Sequence, residues 1–395
     1  VTPSGAILTL NMGSSSLKFA LFDAADTLNA TVRGAVTSLD DAPHMIARRA
    51  TGATLADRRW PGAQTPPLGV ILTAVLDIAT QGTGTESLAA VGHRLVMGGP
   101  DHAAPEPVTP ALLAALALAT PLDPLHMPPA VAAIAAVREA GPETRQVVCF
   151  DTAFHTTLAP VATRFALPLA IAAAGVRKYG FHGLSYEFIA EHLKATRPAL
   201  AQGRVVVAHL GAGASLCAMS NGCSIETTTG FSALEGLVMA TRCGSLDPGV
   251  ILYLARQGLS FGDIEDMLYR RSGLLGLSGI SGDARVLLES PEPAARDAME
   301  SFVYRIAIDA AAMVGALGGL DGLVFTAGVG EHCAPVRAAV CARLAWLGVR
   351  LDPAANARDA DCISAPDSTV EVLVIPANEE ASIARHTAEL LQAAA

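Results

Sequence analysis

The sequence predicts an α/β protein built as two similarly folded halves, and three observations carry that prediction. Apolar runs of strand length alternate with stretches of apolar residues at helical spacing, the pattern of mixed sheets flanked by helices. A passage that reads strand, glycine-rich turn, strand occurs near the start and again some 200 residues later. Glycine-rich turns follow strands at three well-separated places. The 395 residues allow two to three compact units, at about 150 residues each.

Taken in order, Ala6 to Asp23 is an apolar run, a Gly/Ser turn and a second, alternating run, which predicts two strands joined tightly. Pro61 to Pro67 reads as a surface loop. Pro128 to Ala140 has helical spacing, begins with prolines suited to a first turn and stops at Gly141-Pro142. Gln146 to Phe150 predicts a buried strand that delivers Asp151 at its carboxyl end. Arg204 to Gly222 repeats the opening pattern with one extra residue. Pro291 to Leu317 predicts a long helix, and Leu323 to Thr326 a buried strand opening into Gly328-Val-Gly-Glu-His332. Val372 to Ile375 is a late strand, and a final helix follows from about Asn378. No low-complexity linker separates the halves, so their boundary is expected within ordered structure.

Composition removes several classes. Half the chain is apolar (51%) and only 16% is charged, too hydrophobic for a disordered protein. Mean hydropathy is +0.41, but the longest apolar stretches, such as Ala111 to Ala119 and Ala310 to Leu320, fall short of the roughly 18 residues of a membrane span. A soluble chain without a membrane partner is expected. The net charge is −10 and no Lys/Arg cluster occurs, which argues against nucleic acid as a partner. Seven cysteines from Cys149 to Cys362 contain no C-x-x-C pair, so neither a disulfide framework nor a zinc site fits. With no basic segment leading into an apolar core near the start, a reducing cytoplasm is the expected compartment.

The three turns are Asn11-Met-Gly-Ser-Ser-Ser16, His209-Leu-Gly-Ala-Gly213 and Gly328-Val-Gly-Glu-His332. Such turns leave backbone N–H groups unobstructed, which suits phosphate oxygens, although each alone reads as readily as an ordinary hairpin. No G-x-x-x-x-G-K-[ST] is present, which excludes a P-loop, and no early G-x-G-x-x-G opens a helix. Three phosphate-type turns with an internal repeat are similar to the two-lobed superfamily of sugar kinases, actin and heat-shock chaperones.

Six motifs narrow the resemblance. Leu10-Asn-Met-Gly-Ser-Ser-Ser-Leu-Lys-Phe19 resembles a signature of acetate kinases, as do Val91-Gly-His-Arg-Leu-Val-Met-Gly-Gly99 and Phe150-Asp-Thr-Ala-Phe-His155. So do Lys178-Tyr-Gly-Phe-His-Gly183, Leu234-Glu-Gly-Leu-Val-Met-Ala-Thr-Arg-Cys-Gly244 and Ile375-Pro-Ala-Asn-Glu-Glu380. They fall in the family's order and span essentially the whole chain. The resemblance implies two ribonuclease H-like lobes (the actin-like ATPase fold) with an active-site cleft between them. One lobe would comprise 1–151 and 381–395; the other, 152–380, would carry the nucleotide site and a homodimer interface. ATP/ADP as co-substrate, Mg2+ (or Mn2+), and acetate or another short-chain carboxylate as acceptor are implied, with reversible, direct in-line transfer giving acetyl phosphate.

Bringing a carboxylate to a polyphosphate joins two anions, so fixed cations must screen their repulsion and the charge of the group in transfer. Arginine supplies a planar fork for either anion. By resemblance Arg94 holds the substrate carboxylate and Arg242 bridges to the phosphoryl group; otherwise each is a plain ion pair. His182 would donate to a phosphoryl oxygen, and His209 would line the nucleotide site, whereas His126 and His155 have no independent case. Asp151 is essential by resemblance. A carboxylate substrate is already ionised and needs no base, so Asp151 is expected to orient Arg94 or a metal-bound water. Asn11 and Glu379, with Glu380 as the neighbouring alternative, would hold the metal between the lobes. Lys18 matches an ATP contact but equally suits an exposed strand position. Leu210, Gly211, Ala212 and Gly213, with Gly328, Val329, Gly330, Glu331 and His332, would follow the phosphates, and Asp283, Ala284 and Arg285 the adenosine. Val96, Leu125, Phe181 and Ala233 would wall the acyl pocket.

The chain departs from the family pattern at Ala212, Met127 and His332, where asparagine is usual, and at Ser245, where an acidic residue is usual. Ala233 stands where proline is usual, so propionate is expected to compete with acetate. Two rivals remain at this point: a sugar or polyol kinase, which would need a base and a polar pocket, and an ATP-driven chaperone or filament protein.

Overall fold

The computed structural model describes all residues except 1–4, 14–15, 40, 61–65, 84–87, 121–122, 124–125 and 394–395. Most of the expected Pro61–Pro67 loop, and Leu125, therefore lie outside the described residues. The chain forms two compact units. The first comprises Val1–Ala153, Gly183–Phe188 and Asn378–Ala395; the second comprises Phe154–His182 and Ile189–Ala377.

The first unit is built on an eight-stranded sheet of β1 (Ala6–Met12), β2 (Leu17–Asp23), β3 (Asp26–Thr37), β4 (His44–Arg49), β5 (Thr54–Arg59), β6 (Leu88–Leu95), β7 (Glu106–Pro107) and β8 (Gln146–Phe150). Its order is β5-β4-β3-β2-β1-β6-β8-β7. β1 and β2 form the predicted tight antiparallel pair, with Asn11 opposite Lys18. β1, β6 and β8 run parallel. Helix Met127–Ala140 carries two prolines in its first turn, and the Gly141 N–H closes it on Val137 O at 3.0 Å.

The second unit holds a five-stranded sheet of β9 (Arg204–Leu210), β10 (Ala214–Ser220), β11 (Cys223–Thr227), β12 (Gly322–Thr326) and β13 (Glu371–Val374), in the order β11-β10-β9-β12-β13. β11, β10 and β9 are antiparallel, and β9, β12 and β13 are parallel. The run β3-β2-β1-β6-β8 of the first sheet has the same order and polarity, so the internal repeat is a repeat of topology. This is the ribonuclease H-like arrangement that the resemblance implies. Helix Pro293–Leu317 buries Phe302, Ile306, Ala310 and Met313 in the core of this unit, against Val206, Leu216 and Phe325. Each such large side chain removed from water contributes about 1.5–3 kcal/mol.

Two features differ from the sequence reading. The third glycine-rich turn is not a loop: after Thr326 the chain takes a left-handed step at Ala327 (φ 64°) and residues Ala327–His332 wind a short helix. The final helix, Glu379–Ala393, packs Ala381, Ala384, Ala388 and Leu391 against Ile7, Ala20, Phe22 and Ala90 of the first sheet. Its opening carboxylates, Glu379 and Glu380, thus belong to the first unit with Asn11, and not to the opposite half. Among the described residues no helix is long and apolar enough to cross a membrane.

Candidate active site

In the first unit, parallel strands and the start of the final helix bring five expected residues together. β6 places Arg94 beside Cys149 of β8 in register, and the ladder continues one step as Asp151 N donates to Leu95 O at 2.9 Å. Asp151, fully buried, accepts from Arg94 Nε at 3.1 and 3.0 Å and from Nη2 at 2.5 Å. Arg94 Nη1 donates to Asn11 Oδ1 at 3.1 Å. Asn11 Nδ2 donates in turn to Glu379 at 2.8 Å and to Glu380 at 3.1 Å, and Glu379 lies 3.9 Å from Arg94 Nε. Burial disfavours the charged guanidinium, but Asp151 and then Glu379 outweigh it and hold its pKa above the ordinary arginine value.

A guanidinium has five N–H donors. These bonds use three of them, which leaves one hydrogen on each terminal nitrogen of Arg94. The side chain is 14% exposed, so those donors are desolvated on most sides. Lys18 is exposed on β2 and, as the cross-strand partner of Asn11, shares its face of the sheet. Val96 is buried just beyond β6.

In the second unit the hairpin β9–β10 gathers a different set. The His182 ring stacks on His209, centroids 4.2 Å apart and planes 13° from parallel. Its Nδ1 lies 2.8 Å from Ser215 Oγ. A methyl group placed on Gly213 would sit 3.1 Å from His182 Nε2 and 3.8 Å from Arg242 Nη1. Glycine therefore leaves a cradle that an imidazole and a guanidinium both overlook. Arg242 Nη1 also donates to Ala233 O at 3.1 Å, which ties it to the segment of the expected acyl wall. Phe181 and Ala233 are buried.

Beyond Gly211 and Ala212 opens a cavity of about 410 Å3, lined by Asp283, Ala284, Arg285, Gly328, Val329 and His332, with Ala240, Leu274, Gly282, Phe302 and Cys333. Its size suits a small-molecule site. Leu274, Phe302 and Val329 offer apolar faces, and Asp283 and Arg285 pair with each other at 2.7 Å on its rim. Leu210 and Gly330 are buried behind it, and Glu331 accepts from Ala377 N at 2.9 Å. Thr326 Oγ1 is buried with no hydrogen-bond partner among the described residues. A larger cavity of about 760 Å3 in the same unit includes Arg271, Glu300, Tyr304 and Arg343. There the charges answer one another: Arg271 pairs with Asp266, while Arg343 pairs with Glu300 and lies over Tyr304.

Several residues resolve as scaffold. His155 is buried between Ser224 Oγ and Phe181 O, and burial pushes its pKa down to about 4. His126 pairs with Asp123 at 3.0 Å, and Met127 beside it is wholly buried at the start of its helix. His332, which lines the 410 Å3 cavity, is not scaffold: it is 69% exposed; Ser245 is exposed. Sequence reasoning missed Ser215, although the hairpin register that sets it opposite His209 was implicit in the strand–turn–strand pattern. It also missed Arg337, fully buried, which donates to Gly330 O, Glu331 O and Asn356 and pairs with Asp359. No local signal marks an arginine within a helix as the brace of a neighbouring segment.

Among the described residues no group of three or more His, Cys, Asp or Glu side chains is gathered to hold a metal. The candidate donors for a cation in the first unit are oxygens: Asn11, Glu379 and Glu380.

Comparison with known proteins gives consistent matches. The sequence profile of the Acetokinase family matches residues 6–385. The chain is 50% identical over 393 residues to an acetate kinase of Rhodopseudomonas palustris, covering 97% of this chain and 98% of that one. Its fold superimposes on the crystal structure of a propionate kinase from Francisella tularensis with a TM-score of 0.89, at 32% identity over 97% of this chain and 98% of that one. The Porphyromonas gingivalis acetate kinase gives 0.86, at 33% identity over 98% and 100%.

Proposed function

This chain belongs to the Acetokinase family, and from that membership and the site geometry we propose that it phosphorylates acetate with ATP, reversibly, to acetyl phosphate. It is a phosphotransferase with a carboxyl group as acceptor, of the two-lobed actin-like ATPase fold. The observation that carries the reading is Arg94: three of its hydrogens are fixed by Asp151 and Asn11, and one on each terminal nitrogen remains for a carboxylate.

The roles follow from the chemistry. Arg94 clamps the acid, and Asp151 aims Arg94. Asp151 does not serve as a base, because a carboxylate acceptor is ionised at neutral pH. In the transfer a carboxylate oxygen attacks the γ-phosphorus as the bond to the β–γ bridging oxygen breaks, and its electron pair leaves with ADP. His182 and Arg242, overlooking Gly213, stabilise the equatorial oxygens of the group in flight. The 410 Å3 cavity takes the nucleoside, its apolar walls facing the base. Lys18 screens the triphosphate. Glu379, with Glu380 beside it, offers carboxylate oxygens that would hold Mg2+, which takes few protein ligands and keeps several waters; Asn11 would join them through its Oδ1, the atom that accepts from Arg94. When bound, the cation neutralises phosphate charge.

Exposed apolar side chains on the second unit, among them Leu252, Tyr253, Phe261, Leu277 and Tyr304, favour a homodimer, which size-exclusion chromatography with light scattering tests. Seven unpaired cysteines favour the reducing cytoplasm.

A second reading, that propionate is also a good acceptor, is favoured by Ala233, which is smaller than the family's usual proline. Trapping the product with hydroxylamine tests both. ATP with acetate is expected to yield hydroxamate. No hydroxamate from any short-chain acid, with ATP hydrolysis or sugar phosphorylation instead, would overturn the proposal.

A further inference from the structure

One face of the first sheet gathers positive charge that the sequence keeps dispersed. The strand registers align Asn11 on β1, Lys18 on β2, Ala35 on β3 and Ile46 on β4 in one row. Two residues along, and so on the same face, Ala20, Arg33 and Arg48 form another row. In the other direction Arg59 on β5 stands opposite His44. Lys18, Arg33, Arg48 and Arg59 are exposed. Asp57, which continues the row of Lys18 onto β5, is answered by His44 at 2.7 Å. Val32, Val36, Met45 and Ala47 on the opposite face are buried, so the cations occupy the solvent side of β3 and β4.

Arg33 and Arg48 are direct cross-strand partners. Like charges so placed repel and cost stability. Charge on an edge strand discourages pairing with another chain, which accounts for Arg59 on β5. It accounts for neither Arg33 nor Arg48, because β3 and β4 are interior strands. The pair also borders residues of the candidate site. Both terminal nitrogens of Arg33 donate to Asn378 Oδ1 at 3.3 Å. The next residue, Glu379, accepts from Asn11. Three strand spacings of about 4.8 Å put Arg48 roughly 14 Å along the sheet from β1.

We propose that Arg33 and Arg48 form a capture strip for the polyphosphate of the nucleotide, drawing it across the open face of β4 and β3 to Lys18. The inference rests on the reading that Lys18 screens the triphosphate. The chain has a net charge of −10, so an approaching polyanion is repelled at long range and a local positive field must offset that repulsion. A strip of one sign raises the local concentration of oppositely charged substrate and its rate of encounter, and salt weakens the effect. ATP carries several negative charges and acetate one, so the strip acts on the nucleotide far more than on the acid.

Initial rates against ATP and against acetate test this in wild-type protein, Arg48→Gln, Arg48→Glu and Lys18→Gln. They are measured at about 10 mM salt, where the screening length is about 30 Å, and at about 0.5 M, where it is well below 8 Å. At low salt kcat/KM for ATP is expected to fall about twofold in Arg48→Gln and about fourfold in Arg48→Glu, the size of a screened Coulomb interaction at that distance. Both losses should vanish at high salt. With its single charge, acetate should show a change in kcat/KM of less than about 1.5-fold. Relief of the like-charge pair should leave the Tm of Arg48→Gln at or above the wild-type value, which separates the loss from damage to the fold. Lys18→Gln should itself lower kcat/KM for ATP. Wild-type kcat/KM for ATP in Arg48→Glu at low salt, or a loss undiminished at high salt, with Lys18→Gln impaired, would overturn the inference alone. Wild-type kcat/KM for ATP in Lys18→Gln would remove the reading beneath it and the inference together.

Discussion

Asp151 takes the Nε and Nη2 hydrogens of Arg94 on a carboxylate that has no exposed surface. One edge of the guanidinium is thereby spent on the scaffold, and Asn11 fixes a third hydrogen at 3.1 Å. Removing either partner of a buried pair strands the other charge, at about 3–5 kcal/mol. Arg94→Ala is expected to raise the KM for acetate at least tenfold and to lower the denaturant midpoint. Asp151→Asn should keep Arg94 in place but loosen it, raising that KM while lowering kcat. Initial rates against acetate concentration, with urea titrations of both variants, check this; an unchanged KM in Arg94→Ala would remove the clamp.

Arg242 faces the cradle over Gly213 and none of the nucleoside cavity. Arg242→Ala should depress kcat by about 100-fold or more, as loss of a group that stabilises transition-state charge does. The Kd for ATP, measured by calorimetry, should stay within a few-fold of the wild-type value.

Gly213 admits a methyl group sterically only by crowding His182 Nε2 at 3.1 Å. Gly213→Ala should therefore fill the space reserved for phosphoryl oxygens. A fall in kcat of tenfold or more is expected, with thermal stability nearly unchanged. A fully active Gly213→Ala would place the phosphoryl group elsewhere.

Ala233 is buried and its carbonyl accepts from Arg242. Ala233→Pro keeps that carbonyl while narrowing the expected acyl wall. The variant should shift kcat/KM toward acetate over propionate, by up to the roughly 1–3 kcal/mol that one methylene commands. Comparing the two acids in wild-type and variant protein decides it.

Two wholly buried histidines give stability a dependence on acid. Burial lowers His93 and His155 to about 4 each, against hydrogen bonds to the Gln146 and Phe181 oxygens that act in the opposite direction. Unfolded rings titrate near 6.5. The unfolded chain therefore binds more protons between pH 6.5 and about 4. The stabilisation is whole above pH 6.5 and is lost as pH falls through this window, at roughly 1 kcal/mol per pH unit for each ring. Urea midpoints at pH 7, 6 and 5 should decline, and His155→Gln should flatten the slope.

The sequence by itself determined the parts that short-range pattern encodes. Alternation and turn residues located the paired strands β1–β2 and β9–β10. A short apolar run predicted β8 and set Asp151 at its end, and prolines followed by glycine bounded helix Met127–Ala140. Arg94 and Arg242 stood out because their segments resemble acetate kinase motifs, in a chemistry that requires cations where two anions join.

Tertiary structure alone decided which side chains meet. Asn11 and Glu379 touch across 368 positions because the apolar face of the final helix has its complement on the first sheet, a match that neither segment shows in isolation. Ala327, in a left-handed conformation (φ 64°), opens a helix where glycines suggested a loop. Ser215 reaches His182 across 33 positions and Arg337 reaches Asn356 across 19, through packing of separate elements. Local propensity fixes backbone direction over a few residues, whereas these contacts depend on how buried faces fit, a property of the folded core as a whole.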